Sequence, residues 1–235
     1  MQEYLNMLGI CFFVMVKKNR KKKDSYKSFL GRVWYFVWYD DSLLSWIVNV
    51  ILAFLIVKFI FYPLLSLIVG TSLPLVAVVS SSMEHRGVEE GSVYRMCGSI
   101  VDDSSRFDLD DWWGVCGSWY EDNFNIYLSD FRDFPLSNGF NKGDIILLRG
   151  ARNIDIGDVV VFNSGKKYPI IHRVVDFSDS GVVTKGDNNP GLIMDSELDE
   201  SDVSFDVIVG KAYARIPYLG YVKIWFSNFV GLFVN

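Results

Sequence analysis

Leu43 to Val69 reads LLSWIVNVILAFLIVKFIFYPLLSLIV, a run of 27 residues with one charge, Lys58. About 20 apolar residues in a helix span the hydrocarbon core of a bilayer, so this run predicts a membrane-crossing helix. Lys58 near its middle costs roughly 2.5–3.5 kcal/mol on insertion scales, which the surrounding Leu, Ile and Phe outweigh. The lysine is expected to pair within the protein or to snorkel toward a headgroup. Pro63 is placed to kink the helix, and Gly70 and Pro74 to end it. Two further apolar stretches are shorter. Leu5–Val16 is too short to span, and its positive charges follow it rather than precede it. It reads as an interfacial amphipathic helix rather than a cleaved leader. Tyr218–Val234, broken by Lys223, reads as a segment lying at the membrane surface rather than a second crossing.

After the long run the pattern changes to short β-branched stretches. These are Pro74–Ser80, Gly143–Gly150, Ile156–Asn163, Tyr168–Phe177, Gly181–Asp187 and Phe205–Ile216, with Gly, Asp and Asn at the joins. Short strands at close spacing with turn signals predict a mainly β domain, an antiparallel sheet or open barrel. Gly143-Asp144 and Gly157-Asp158 read as turns, because Gly supplies positive φ and Asp bonds nearby backbone. Between Glu84 and Asn141 the strand pattern is interrupted. Trp112, Cys116, Trp119, Tyr120, Tyr127, Phe131 and Phe134 recur every three or four residues, which predicts an aromatic-faced helix. Gly114 and Gly117 weaken that signal. Packing on the β core is the first expectation for these aromatics, and contact with headgroups the alternative. The chain therefore divides into a basic segment 1–42, a membrane helix 43–69, a β domain 70–217 with an insertion at 84–141, and a membrane-associated end 218–235.

Charge sets the direction. Lys17 to Arg32 holds eight Lys/Arg and one Asp, whereas Glu84 to Phe140 holds twelve Asp/Glu and four Arg. Cytosolic flanks are enriched in Lys and Arg, so the N-terminus is expected in the cytosol and everything after about Gly70 outside. The net charge of −5 argues against nucleic-acid binding, which needs a basic face. If the acidic region lies outside the cytosol, Cys97 and Cys116 are suited to a disulfide. Two unpaired small residues is the other reading. With two histidines and no His/Cys pair at ligand spacing, no metal site or cofactor is expected.

Three serines, Ser80–Ser82, follow the first strand. A turn without chemistry is the plain reading and a nucleophile the sharper one. A serine that attacks a peptide carbonyl needs a base to take its proton, and an acid to orient that base. His172 lies in a predicted strand, on a rigid element that suits such a base. It could equally be a core histidine. His85 is only three residues past Ser82 and would need a tight turn to reach it.

Ser-Ser-Ser-Met (80–83), Gly-Asp-Val-Val-Val-Phe (157–162), Pro-Ile-Ile-His-Arg-Val (169–174), Lys-Gly-Asp-Asn-Asn (185–189) and Ile-Pro-Tyr-Leu-Gly-Tyr (216–221) follow the membrane helix in that order. Together they resemble type I signal peptidase of the archaeal and endoplasmic-reticulum branch, whose base is histidine rather than lysine. The resemblance implies a membrane-bound serine endopeptidase that removes signal peptides from exported preproteins after a small residue. It implies Ser82 as nucleophile and His172 as base. The Ser80 hydroxyl and the Ser82 N–H would form the oxyanion hole, and Asp187 and Asp195 would be the acids, Asp195 orienting the base. Asp199 and Asp202 are more distant candidates. A substrate lying extended beside the strand before Ser82 would meet small pockets at Val76 and Val78.

The implied partners are signal-peptide-bearing preproteins, membrane lipid and the protein-export channel, with no nucleic acid. The implied location is the cell membrane, crossed once. The chain departs from the family pattern at Ser81, where Gly is usual, at His85, where Pro is usual, and in its insertion. A non-catalytic β-domain subunit and a related peptidase with other surface-protein substrates are the competing readings.

Overall fold

The structure is a computed structural model and describes residues 28–219. The readings made for Leu5–Val16, for the basic run as far as residue 27 and for the chain beyond Leu219 lie outside the described residues. The chain forms two compact units, one up to Pro63 and one from Leu64 onward.

In the first unit, helix α1 (Phe29–Trp38) starts at Ser28, whose side chain accepts the Gly31 N–H. The hydrophobic pattern had not singled this helix out. Helix α2 (Leu43–Ile56) starts at Ser42, which accepts the Ser45 N–H in the same way. Capping by serine satisfies amide groups that lack a partner inside a helix. Two polar side chains in the apolar run donate to the end of α1: Ser45 Oγ to Phe36 O at 2.5 Å and Asn49 Nδ2 to Val37 O at 2.9 Å. The helix continues through a π-turn, Val57–Phe61, into α3 (Tyr62–Val69). In that turn the Tyr62 N–H bonds Val57 O, five residues back. Pro63 has no N–H to give the preceding turn, so the ladder shifts there instead of continuing regularly. From Leu43 to Val69 this is, among the described residues, the one helix long and apolar enough to cross a membrane, by length and composition. Lys58 Nζ lies 5.8 Å and 5.4 Å from the ring centres of Phe54 and Phe59. The helix ends where Gly70 turns to φ +71°.

The second unit is built on a curled antiparallel half-barrel of seven strands. These are β1 (Leu75–Ala77), β5 (Ile145–Arg149), β6 (Val159–Phe162), β7 (Ile170–Phe177), β8 (Gly181–Lys185), β9 (Val203–Ser204) and β10 (Ile208–Ile216), in the order β1-β5-β10-β6-β7-β8-β9. Each of the six predicted apolar stretches holds one strand of this sheet, and the seventh strand, the two-residue β9, has no apolar run to mark it. Every residue of β6 is buried, and so is every residue of β8. That accounts for their unbroken apolar runs where a half-exposed strand would alternate. The expected turns are present, with Gly143 at φ +90° and Gly157 at φ +93°. In each, the Asp one residue on accepts a backbone N–H from three residues before it, Asp144 from Asn141 and Asp158 from Asp155.

The insertion adds a three-stranded antiparallel sheet, β2 (Val88–Glu90), β3 (Val93–Met96) and β4 (Ser99–Val101). Helices α4 (Leu109–Phe124) and α5 (Leu128–Asp133) follow it. Asp108 caps α4 by accepting the Asp111 N–H. Gly117 does not weaken α4. A Cβ there would meet the Trp113 indole at 2.4 Å, so the bare Cα makes room for the ring. Trp112, Trp113, Cys116, Tyr120 and Phe131 pack with Val175 and Val183 of the main sheet. The aromatic face therefore covers the β core, the first of the two expectations for it. A Cys97–Cys116 disulfide joins the small sheet to α4.

Candidate active site

Ser82 sits in a turn that four contacts hold from four directions. Its carbonyl accepts the Asn188 N–H at 2.7 Å, and the Met83 carbonyl accepts the Phe140 N–H at 3.0 Å. The Asp187 N–H points at Met83 Sδ, 3.3 Å away, and the Glu84 carboxylate accepts the Lys142 N–H at 2.7 Å. Met83 itself is buried among Val78, Phe140 and Ile146. Met83 is thus a plug that fixes the height of the hydroxyl before it.

His172 comes from β7, opposite Val160 of β6. Its Nε2 lies 3.0 Å from Ser82 Oγ. Its Nδ1 lies 2.5 Å from Glu200 Oε1. With Nδ1–H donating to that carboxylate, Nε2 carries the lone pair that accepts the serine O–H. Glu200 has no solvent exposure. Its Oε1 also accepts the Thr184 hydroxyl at 3.0 Å, and its Oε2 accepts the Ile193 N–H at 2.8 Å. Ser80 Oγ stands 3.2 Å from Ser82 Oγ. A hydroxyl, an imidazole and a buried carboxylate in line form the arrangement that general-base activation of serine requires.

The two aspartates expected here lie elsewhere. Asp195 is on the surface: its carboxylate accepts from Lys166 Nζ at 2.8 Å and from the Glu197 and Leu198 N–H groups, and makes no bond to His172. Asp199 accepts from Ser201, and Asp202 from Ser178 and Ser180. The residue at the imidazole is Glu200, between those two reserves. Glutamate can serve the role expected of aspartate here, with one more methylene.

Asp187 is fully buried and braces the floor of the site instead. Arg173 Nε donates to its Oδ1 at 2.9 Å and Arg173 Nη2 to its Oδ2 at 2.7 Å. Tyr120 O–H donates to Oδ1 at 3.3 Å. Burial alone would raise the Asp187 pKa. The Arg173 charge, with hydrogen bonds from His85 and Arg173, reverses this and holds it well below the usual carboxylate range. The remaining Arg173 donors reach the Pro135, Leu136 and Gly157 carbonyls, so the buried guanidinium is fully partnered. His172 and Arg173 are neighbours on one strand and point to opposite faces.

His85 does not approach as a second base. It stacks on Trp112 at 4.0 Å between ring centres, nearly parallel, with Nε2 3.3 Å from Asp187 Oδ2. Burial pushes its pKa down despite the aspartate, so the contact is a neutral hydrogen bond rather than an ion pair. Lys185 lies beneath, with Nζ donating to Gly186 O and 4.8 Å from the ring centres of Trp119 and Tyr120. Burial lowers its pKa to about 8.

A cavity of about 330 Å³ borders Ser82 along β1, walled by 76–80 and by 166–172. Val76 and Val78 both border it, but unequally. Val78 is 2% exposed and belongs to the core, whereas Val76 is half-buried. β1 pairs with β5 on one side only and is an edge of the sheet.

No protein-family model matches the chain. It is 41% identical over 102 residues to "Signal peptidase complex catalytic subunit SEC11" of Colletotrichum graminicola, taking in 38% of this chain and 58% of that protein. It is 40% identical over 101 residues to the proteins of the same name from Pyricularia oryzae and Pyrenophora tritici-repentis, with 57% of each covered. The chain spans a little over half the length of the curated relatives it matches.

Proposed function

We propose that the chain is a membrane-bound serine endopeptidase that cleaves signal peptides from preproteins after a small residue. The observation that carries this reading is the contact of Ser82 Oγ with His172 Nε2, backed by Glu200 on Nδ1. The names of the relatives point to the same reaction. In this mechanism His172 Nε2 takes the Ser82 proton as Oγ attacks the carbonyl carbon. The oxyanion is met by the Ser80 hydroxyl and the Ser82 N–H, donors whose single loss commonly costs about 2.7–4 kcal/mol. His172 then protonates the leaving amine, and the acyl group stays on Oγ. A water gives its proton to His172 as it attacks the ester carbonyl; the Oγ–acyl bond then breaks, His172 returns the proton to Ser82 Oγ, and the new carboxyl end is released. The free edge of β1 offers main-chain groups to an extended signal peptide, and the half-buried Val76 narrows the space for its side chains.

The N-terminus is assigned to the cytosol and the β unit to the other side of a membrane crossed once. The Cys97–Cys116 disulfide supports that orientation, since disulfides persist in oxidising compartments. Lipid and preproteins are then the partners, with the export channel beside them, and no nucleic acid is involved.

The test is cleavage of a model preprotein by the purified chain in detergent, with N-terminal sequencing of the product. Ser82→Ala and His172→Ala should each abolish it. Retained cleavage in either variant would refute the assignment. For orientation, a cysteine placed at exposed Ile100 in the insertion should label in intact cells if the membrane is the cell membrane. In sealed microsomes it should be protected if the β unit faces the lumen.

A further inference from the structure

A second cavity, of about 450 Å³, meets the first at the nucleophile. It is lined by the serine turn, by 188–190, and by Val88, Glu90, Arg95, Cys97 and Gly98 of the insertion. It shares only Ser80 and Ser82 with the groove along β1. We propose that this cavity binds the substrate segment that follows the scissile bond, and that Asn189 Nδ2 donates a hydrogen bond to a backbone carbonyl of that segment. The proposal rests on the peptidase reading above.

A peptide whose carbonyl sits at Ser82 Oγ must leave that point in two directions. The edge of β1 takes one of them. The leaving amine receives its proton from His172 Nε2, so the chain beyond the cut starts next to that atom. Asn189 borders the same place. A Cβ on Gly186 would stand 2.7 Å from Asn189 Nδ2 and 2.8 Å from His172 Nε2. Gly186 is therefore what lets the carboxamide and the imidazole share one small volume.

The Asn189 amide is also unused. Its Nδ2 is shut off from solvent and has no acceptor. A buried N–H left without an acceptor is destabilising, and native proteins hold few of them. The neighbouring asparagine is fully engaged. Asn188 Nδ2 donates to the Ser81 and Arg86 carbonyls, its N–H to Ser82 O, and its Oδ1 accepts the Cys97 N–H. Asn188 thus builds the turn and latches the insertion to it. Asn189 lines the cavity, and its Nδ2 is left without an acceptor. At the opposite wall Arg95 Nε and Glu90 Oε2 form a solvent-exposed pair 3.4 Å apart. That pair is positioned to sense charge on the segment after the cut.

The experiment uses the full chain in detergent and two substrates identical up to the scissile bond. One continues for six residues, and the other is a methyl ester that ends there. Asn189→Ala should lower kcat/KM for the long substrate about tenfold and leave the ester unchanged. Equal loss on both would place Asn189 in the oxyanion hole or behind His172, and overturn the proposal. Unchanged turnover of both would also overturn it. A wild-type chain that cleaves neither substrate overturns the peptidase reading instead. Arg95→Glu, on the exposed rim, gives a second measure that does not depend on the buried amide. It should shift the preference between lysine and glutamate after the cut about fivefold toward lysine, and an unmoved ratio refutes the rim assignment.

Discussion

Glu200→Gln tests whether the buried glutamate sets the chemistry at His172. The amide keeps the size of the carboxylate and one acceptor oxygen. Three donors now converge on the carboxylate: His172 Nδ1–H, the Thr184 hydroxyl and the Ile193 N–H. With its oxygen on the Ile193 N–H, a glutamine turns its NH₂ toward His172 Nδ1 and the Thr184 hydroxyl, which can rotate to accept; the reverse orientation sets the NH₂ against the Ile193 N–H. If NH₂ faces His172, the ring accepts at Nδ1 and carries its proton on Nε2, toward Ser82, where it can no longer act as base. Turning an orienting acid into its amide in a serine peptidase has cost about 10⁴-fold in kcat while leaving the geometry intact. At roughly 1.36 kcal/mol per tenfold this is ~5.5 kcal/mol of barrier. The Ser82 groove is untouched, so KM should stay within about threefold, the spread a single weak contact produces. The assay is initial-rate cleavage of a model preprotein, with a fluorescence melt of each variant to show that it is folded. Asp195→Ala is the control: its carboxylate serves only Lys166 and nearby backbone, and activity should not change. Full activity in Glu200→Gln, with loss in Asp195→Ala, would refute the reasoning.

Three further outcomes follow from the buried framework. Arg173→Met leaves Asp187 as an uncompensated buried charge, which typically costs about 3–5 kcal/mol; a urea melt showing less than about 1 kcal/mol would contradict the role given to the pair. Reducing the Cys97–Cys116 bond frees a loop with a sequence separation of 19, a constraint worth about 3 kcal/mol in the chain-entropy model, to be read as a lower denaturation midpoint of Cys97→Ser/Cys116→Ser. Lys185 sets a pH dependence: its folded pKa of about 8 lies below the unfolded value of about 10.4, so between these the unfolded chain binds more protons and stability rises with pH. The melting temperature should climb from pH 8 to 10 in the wild type, and that climb should be missing in Lys185→Met.

The main sheet was legible because its strands carry β-branched apolar runs, unbroken in β6 and β8, which are buried on both faces. The small sheet was not. Glu89, Glu90 and Arg95 put charge into strands of three or four residues in which only Met96 is buried, and such strands leave no apolar pattern to read. Ser82 and His172 were singled out by the resemblance, through Ser-Ser-Ser-Met at 80–83 and Pro-Ile-Ile-His-Arg-Val at 169–174; the residues alone left a plain turn and a core histidine open. The orienting acid was not legible, since Asp195, Asp199, Glu200 and Asp202 fall within eight residues of one another. Only folding decides which carboxylate turns inward. Leu198 and Val203 bury on either side of Glu200, and that apolar bracket was the available signal.

The insertion is part of the site's foundation rather than an ornament on it. β7 presents His172 to one face and Arg173 to the other, so the base inherits whatever holds the arginine. Arg173 is held by Asp187, by the carbonyls of Pro135 and Leu136 at the end of the insertion, and by the Phe131 ring 4.6 Å from its guanidinium. Asp187 in turn is reached by Tyr120 and His85, both from the inserted segment. His85 supplies a flat ring that stacks on Trp112 and a ring N–H for Asp187. His85 and the insertion's helix are thus joined at that ring. The added helix brings the tryptophan, the histidine meets it, and the aspartate next to the catalytic turn receives a partner from each.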